Sequence, residues 1–596
     1  MPGRLIEALA AAPRLAVLAL RAWATREPGD WAGLARQWSR LGAVFPTMLA
    51  LTRIEARLWR AARTPEAAIA AAMRALALAP GDRDVLLELG RARRQAGRRE
   101  EAIADFVAAA RAGAATAAAE LLRYGARSHL PEPEPGVFAR DHAANWLASC
   151  AIPAAPETLG RVHFRVSVTG TPEQQAATRA SLAAQTYADW SEQGDPRGES
   201  WNLPLPAGAQ LHPEALGWLA WAAAETGAPC VRADHGVRSA DGHSCQPALL
   251  PGHDPLWVDR PGGIARLRAS QERDGATCHV PLVLMSLPDA PVPTSPLPDA
   301  EPPPISVIIP TRDNPKLLAE AAATLLATAA HPDRIELVII DNGSRSPPAR
   351  ALLDRLTERE RTVIVPFPQA FNWSRANNLG ARAASGSLLL FLNDDTAMQT
   401  AGWDRILAGL LAQDDVGLVG ARMVYPDGRI QHGGFVLGMD NGPQHEGRWM
   451  AGDDAGPAGR WTAIRAAAAV TGAFMAIRRD RLAALGGFDE QTFAVDFADL
   501  DLCLKVRAGG QLVAYCGAIT LTHHESVSRG LNLGRAKRRR MARERAAFEQ
   551  RWGAMASNDP YYHPAWVRTG CSYDGLRRLS AAEVCEAMKA TALRAG

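Results

Sequence analysis

The chain has 596 residues, several times the usual domain length of about 100 to 150 residues, so more than one hydrophobic core is required. Hydrophobic residues make up 47% and charged residues 22%, which excludes a disordered or fibrous chain. The balance of 66 Lys plus Arg against 63 Asp plus Glu leaves a formal charge of +3, which excludes nucleic acid as a global partner.

Residues 1–130 are rich in Ala and Leu at helical spacing. Arg14, Arg21 and Arg26 interrupt the apolar N-terminal stretches, and no run approaches the roughly 18 apolar residues of a membrane span, so neither secretion nor spanning is expected. The eight cysteines lack CxxC spacing, which signals neither a disulfide framework nor a zinc cage and fits a reducing cytoplasm. Ala68-Ile69 recurs 34 positions later as Ala102-Ile103, and Ala75 as Ala109, with Ala79-Pro80-Gly81-Asp82 breaking the helices between them. This pattern resembles a tetratricopeptide repeat, which implies a surface for a protein partner; a plain Ala-rich hairpin is the alternative.

Pro131 to Pro135 and Pro288 to Pro304 read as linkers around a middle domain, residues 136–290. Its run Val162 to Val168 predicts a strand and Pro172 to Thr186 the helix after it. From residue 303 to 530 the pattern becomes regular. Strand-like runs at Ile305 to Pro310, Glu336 to Asp341, Thr362 to Phe367, Leu388 to Asp394 and Val416 to Val424 alternate with helix-like segments at Pro315 to Thr328, Pro347 to Arg359, Asn372 to Ala384 and Gly402 to Gln413. Strand and helix in alternation predict an α/β fold, a mostly parallel sheet covered by helices on both faces. Residues 531–596 form a tail whose predicted helix, Leu533 to Trp552, carries Arg535, Lys537, Arg538, Arg539, Arg540 and Arg543. A solvated face explains this basic run, and contact with an anionic lipid surface is the other reading.

In such a sheet, ligands bind beyond the carboxyl ends of the strands. The first strand ends in Pro310-Thr311-Arg312-Asp313, the second in Asp341-Asn342-Gly343-Ser344 and the fourth in Asn393-Asp394-Asp395-Thr396, so three polar clusters share one edge. Asp341 can accept hydrogen bonds from a base or ribose, although Asp-Asn-Gly-Ser is also simply a good turn. The apolar run Leu388 to Leu392 leads into adjacent carboxylates at Asp394 and Asp395, costly to bury unless a cation neutralises them, and oxygen ligands favour Mg²⁺ or Mn²⁺; an exposed acidic loop is the alternative. Asp499 and Asp501 precede an amphipathic helix, where one can cap it and the other can remove a proton from an acceptor hydroxyl. In Thr522-His523-His524-Glu525, a neutral imidazole could complete a metal shell, against the plain reading of a surface pair.

Taken in order, Ser306-Val-Ile-Ile-Pro310, Asp341-Asn-Gly-Ser344, Phe371-Asn-Trp-Ser-Arg-Ala-Asn-Asn378, Phe391-Leu-Asn-Asp-Asp-Thr396, Thr471-Gly-Ala473, Gly486-Gly-Phe-Asp489, Asp499-Leu-Asp501 and His523-His-Glu-Ser526 resemble the family 2 glycosyltransferases of GT-A fold. The resemblance implies that Thr311, Asp313, Asp341 and Asp394 hold the nucleotide, that Asn377 and Asn378 line the donor pocket, and that Asp395 ligates the metal with His524 as the nearer of the two histidines. It makes Asp499 the catalytic base of an inverting single displacement from a nucleoside diphosphate sugar to a glycan or lipid-linked acceptor. Gln431-His-Gly-Gly434 with His523-His-Glu-Ser526 is similar to rhamnosyltransferase-like members that build bacterial surface polysaccharide, which implies a deoxythymidine or uridine diphosphate sugar as donor; the basic tail adds a peripheral contact at the inner face of the membrane to the cytoplasmic reading. Two departures are present: Asn393 stands for the first Asp of an Asp-x-Asp motif, and Ala498 for an acidic or amide residue before the base. Ser181 to Trp190 of the middle domain also resembles the opening of such a transferase, but Leu203-Pro-Leu-Pro-Ala-Gly208 stands where the aspartates belong, implying a degenerate, non-catalytic copy. The rivals are a nucleotidyltransferase, although residues 310 to 316 lack the expected Gly-rich loop, and a non-enzymatic scaffold.

Overall fold

The computed structural model describes residues 28–44, 49–114, 116–117, 120–121, 137–157, 162–192, 200–206, 208–239, 244–250, 254, 256, 263–266, 277–288, 297–440, 442–524 and 535–592. The first Pro-rich linker, Arg14, Arg21, Arg26, Glu525, Ser526 and the side chains of Arg535, Lys537 and Arg538 lie outside the described residues. The chain divides into two compact units, residues 1–132 and 133–596. No helix among the described residues is long and apolar enough to cross a membrane.

The first unit is helical, with helices at Pro28–Val44, Leu49–Ala61, Pro65–Leu78, Arg83–Gln95 and Arg99–Arg111. Asp82 starts one of them by accepting hydrogen bonds from the Asp84 and Val85 N–H groups, which satisfies donors a helix end otherwise leaves orphaned. The sequence echo reappears as burial: Ala68 and Ala102 are 0% exposed, Ile69 and Ile103 both 5%. Small residues at these sites let successive helices approach closely.

The second unit holds two mixed sheets. The strands of the larger are β1 (Ile305–Thr311), β2 (Ile335–Asp341), β3 (Thr362–Pro366), β4 (Leu388–Leu392), β5 (Thr396–Met398), β6 (Val416–Val424), β7 (Ile430–His432), β8 (Ile464–Ala466), β9 (Phe474–Arg478) and β10 (Leu512–His523). They lie in the order β3-β2-β1-β4-β9-β6-β10-β5, with β7 beside β6 and β8 beside β10. The first four are parallel, β9 runs against both neighbours, and β6 pairs with β10 in parallel. Its helices are α1 (Pro315–Thr328), α2 (Pro347–Thr357), α3 (Trp373–Ala383), α4 (Trp403–Leu411), α5 (Ala498–Ala508) and α6 (Arg535–Trp552).

Side chains alternate across a strand, and the cores follow that period. Ile305, Val307, Ile309, Leu388 and Leu390 pack under α1, α2 and α4, whereas Ile308, Val338, Ile340, Leu389 and Phe391 pack under α3 and α5. Both faces are therefore covered, as the α/β expectation requires. The register sets Thr311 opposite Asp341 and Asp341 opposite Pro366, so the polar strand ends meet at one edge.

The smaller sheet, in the order Trp190–Ser191, His163–Val168, Ser200–Leu205, Gly263–Arg266, Cys230–Arg238, Thr277–Pro288 and Gln210–Leu211, repeats the pairing pattern of β2-β1-β4-β9-β6-β10-β5, direction for direction. Even the side strand recurs: Cys245–Ala248 pairs with Cys230–Arg238 as β7 pairs with β6. The chain's C-terminal segment is woven into this sheet's surroundings. Gly575–Arg577 pairs with Val137–Ala139, and the helix Ala581–Ala592 sends Val584 and Met588 into the smaller core.

Candidate functional site

β4 is a wholly buried apolar strand, Leu388 to Leu392, and it delivers Asn393, Asp394 and Asp395 to the carboxyl edge of the sheet. Asp394 is 5% exposed and Asp395 3%. Such burial is costly for a carboxylate unless donors or cations meet it. Asp394 Oδ2 accepts from Thr311 Oγ1 at 2.8 Å and from Asn314 Nδ2 at 3.2 Å, which joins the end of β1 to the end of β4. Asp395 Oδ1 lies 3.0 Å from His523 Nε2, because the antiparallel pairing of β5 with β10 sets Thr396 opposite His523.

Neighbouring residues at a strand end point in opposite directions, so only one histidine of the pair can face Asp395. That residue is His523. His524 donates its backbone N–H to the Asp395 carbonyl at 2.9 Å, while its Nε2 lies 3.7 Å from Glu320 Oε2.

Asp341 and Asp313 organise the adjoining turn. Asp341 Oδ1 accepts from the Ser344 N–H at 2.8 Å, and the Arg350 guanidinium stands 3.8 Å from its Oδ2. Asp313 occupies the left-handed region at φ 53°, and its Oδ1 accepts from the N–H groups of Arg345 and Ser346, both at 2.8 Å. Burial raises the Asp313 carboxyl, but the Ser346 and Arg345 N–H groups outweigh it and hold the group below its usual range.

Asn377 and Asn378 sit on α3. Asn377 is fully buried and donates to the Trp373 carbonyl at 2.9 Å. The Asn378 amide donates to the Phe488 carbonyl at 2.9 Å and Glu490 Oε1 at 2.8 Å, tying α3 to the Gly486–Glu490 loop. A groove of about 490 Å³ runs here, lined by Arg375, Asn378, Arg382, Arg479 and Glu490 among others, and it includes none of Asp341, Asp394, Asp395 or Asp499.

Asp499 lies in the first turn of α5. Its Oδ2 accepts from the Gly472 N–H and its Oδ1 from its neighbour Leu500, both at 2.9 Å, so the carboxylate orientation is fixed. Its companion Asp501 is drawn the other way: Arg551 Nη1 at 2.9 Å, Trp552 Nε1 at 3.0 Å and Lys505 Nζ at 3.2 Å surround it.

A chain of contacts links the two acidic positions. His523 Nδ1 meets Gln431 Oε1 at 2.6 Å. The next residue, His432, accepts at Nε2 from the Thr471 N–H at 3.3 Å, and Gly472 then reaches Asp499. Burial, with Arg465 beside it, pushes the His432 ring down to about 3, which keeps it neutral and able to accept. The sequence motifs gave Gln431, His432 and Gly472 no individual role and left out Asn314, because each acts through a partner distant in sequence.

A second cluster of Asp and His lies outside this site among the described residues: Asp234, His279 and His563, all buried and near enough in space to hold a metal. Its hydrogen bonding gives another account. Ala565 N–H donates to His563 Nδ1 at 3.1 Å, so Nε2 carries the ring proton and donates to Asp234 Oδ2 at 2.8 Å.

Residues 306–436 match the family described as Glycosyl transferase family 2. The chain is 34% identical over 261 residues to the uncharacterized protein y4gI of Sinorhizobium fredii, covering 44% of this chain and 29% of that one. It is 34% identical over 282 residues to the O-antigen biosynthesis protein RfbC of Myxococcus xanthus, covering 46% of this chain and 21% of that one. The chain thus spans less than a third of the length of these relatives. Among solved structures it is similar to GalNAc-T7 with UDP, GalNAc and Mn²⁺, at TM-score 0.32 and 15% identity over 37% of this chain and 43% of that one. It is also similar to the mannosyltransferase PcManGT of Pyrobaculum calidifontis with GDP-Man and Mn²⁺, at TM-score 0.31 and 18% identity over 42% and 66%.

Proposed function

Because the chain carries a family 2 glycosyltransferase domain, we propose that it moves a sugar from a nucleoside diphosphate sugar to a hydroxyl of a glycan or lipid-linked acceptor, with inversion. The observation that carries this reading is that Asp394, Asp395 and Asp499 are tied together, through hydrogen bonds and adjacent residues of the chain, at the carboxyl edge of one sheet. The O-antigen biosynthesis relative supports bacterial polysaccharide as the product class.

The residues present fit a divalent cation, since Asp395 Oδ1 and His523 Nε2 stand 3.0 Å apart, an oxygen and a nitrogen donor able to face one ion. When bound, Mg²⁺ or Mn²⁺ would supply charge stabilisation for a departing nucleoside diphosphate. The chain's own groups do the rest. Thr311 and Asn314 hold Asp394, the Asp341 and Asp313 turns shape the nucleotide side, and Asp499 takes the proton of the acceptor hydroxyl. Single displacement with that base inverts the sugar carbon.

The smaller sheet we read as a degenerate copy of the same domain. Its residues 206–209 join Ser200–Leu205 to Gln210–Leu211 where Asn393–Asp395 join β4 to β5, and they contain no carboxylate. The peripheral membrane contact of α6 and the protein-binding use of the helical unit belong to the same proposal.

A screen of uridine and deoxythymidine diphosphate sugars, with Mn²⁺ or with a chelator, tests the reading directly. Asp395→Ala and Asp499→Asn are each expected to abolish transfer while circular dichroism stays unchanged. Full transfer by both variants would remove Asp395 and Asp499 from the chemistry, and no transfer by the wild type from any donor would favour the scaffold instead.

A further inference from the structure

Gln431 sits on β7, 3% exposed, and touches His523 twice. Its Nε2 donates to the His523 backbone carbonyl at 3.2 Å, and its Oε1 lies 2.6 Å from His523 Nδ1. An amide has one donating end and one accepting end. A backbone carbonyl can only accept, so the amide orientation is set by that contact and Oε1 must face the ring. His523 Nδ1 therefore carries a hydrogen. A neutral imidazole has only one, which leaves the lone pair on Nε2, where the Asn393 Nδ2 donor also stands at 3.3 Å.

This orientation puts an Nε2 lone pair against Asp395 Oδ1 at 3.0 Å. Two lone pairs at that distance repel unless positive charge lies between them. Either a proton makes the ring an imidazolium, or a cation is shared by both atoms. The strand period makes the arrangement specific to Gln431: His432, the next residue, turns to the other face and meets Thr471 and His445.

We infer that Gln431 is a positioning residue which fixes the Nδ1–H tautomer of His523, so that Nε2 and Asp395 Oδ1 are presented together to a divalent cation. The inference rests on the metal-dependent transferase reading. It adds a residue that touches neither cation nor sugar.

The test uses the full chain and Mn²⁺ alone, with binding read by electron paramagnetic resonance in the wild type, Asp395→Ala, His523→Ala, Gln431→Met and Gln431→Glu. Gln431→Met keeps the bulk and loses both hydrogen bonds; Gln431→Glu keeps an acceptor for Nδ1–H. The expected result is about 10- to 100-fold weaker Mn²⁺ binding in Gln431→Met, recovery in Gln431→Glu, and a ring ¹⁵N spectrum of His523 showing Nδ1–H in the wild type. If Gln431→Met binds Mn²⁺ as the wild type does while Asp395→Ala and His523→Ala do not, Gln431 has no such role and the transferase reading stands. If the wild type binds no Mn²⁺, or neither Asp395→Ala nor His523→Ala weakens it, the metal reading and this inference both fail. An Nε2–H signal in the ring ¹⁵N spectrum of the protein loaded with diamagnetic Mg²⁺ also overturns the inference.

Discussion

Gly472 has no side chain, and the space beside its Cα is already filled. A Cβ there would lie 2.7 Å from the Trp373 ring and 3.4 Å from Asp499 Cβ. Trp373 has nowhere to move, because its ring stands edge-on to Phe488 at 4.9 Å, and Phe488 packs in turn against Phe391 of β4 at the same distance. The strain must pass to the segment whose N–H fixes Asp499 Oδ2. Gly472→Ala is therefore expected to displace that carboxylate by a fraction of an ångström to an ångström, a misplacement that costs about 100-fold in turnover. Steady-state kinetics should show the loss in kcat, with donor KM little changed and the far-ultraviolet spectrum retained. His523 illustrates the same precision in reverse: the motif exposed a pair of histidines, but which ring faces Asp395 depends on the register of β5 against β10, residues 128 positions apart in sequence. Asp395 was legible because five apolar residues run straight into it. Gln431 was not, since its meaning lies wholly in its contact with His523.

Helices and strands of the larger sheet were readable because their signals are local. The apolar runs of β1, β2 and β6 and the proline starts of α1 and α2 are visible in the sequence, and the predicted span of β6 matches residue for residue. Sheet order was not readable. The insertion of β9 between β4 and β6, antiparallel to both, is decided by which hydrophobic faces meet, a long-range choice. The basic helix α6 shows the limit of charge patterning. Its arginines read as a solvated or lipid-facing row, yet Arg551 at its end reaches Asp501 at 2.9 Å and Asp489 at 2.7 Å, and thereby fastens α6 to α5. Arg551→Ala would leave Asp501, whose side chain is 1% exposed, with Lys505 and Trp552 as its remaining named partners. Breaking a fully buried pair costs about 3–5 kcal/mol, and partial exposure of Arg551 reduces the expectation to about 2 kcal/mol. Urea denaturation of the variant against the wild type measures it. Because Asp501 and Asp499 share the first turn of α5, a loss of transfer larger than the stability change would show that the clamp also aligns the base.

The two sheets share one order of strand pairing, and the C-terminal segment binds into both sides of that duplication. Asp559 caps the Leu437 N–H beside the larger sheet, whereas His563 and the helix Ala581–Ala592 engage the smaller. The strongest of these ties is Asp234, 0% exposed, which accepts from the Leu250 N–H at 2.8 Å, His279 Nε2 at 2.9 Å and His563 Nε2 at 2.8 Å. Burial would raise its carboxyl, but His563 and His279 hold it below the usual carboxylate range. Burial likewise lowers the His563 ring from its ordinary 6.5. The sign follows from proton counting: the folded state binds fewer protons at both groups, so the His563 contribution is present above pH 6.5 and declines below it, whereas the Asp234 contribution declines only below pH 3.8. Asp234→Ala removes the acceptor of the Leu250, His279 and His563 hydrogen bonds, an expected loss of about 1–3 kcal/mol for each donor that finds no other acceptor. The loss should begin at the tail. Hydrogen exchange should rise first in Gly575–Arg577, Ala581–Ala592 and the strand Thr277–Pro288, with β1, β2 and β4 protected as before. Acidification of the wild type from pH 7 to pH 5 should weaken the same segments, and a chelator should leave them unchanged, because the Ala565 N–H on His563 Nδ1 makes Nε2 a hydrogen donor to Asp234 and so removes it from the ligands a metal could use. Exchange that quickens on chelation at pH 7 would assign the cluster to a structural ion.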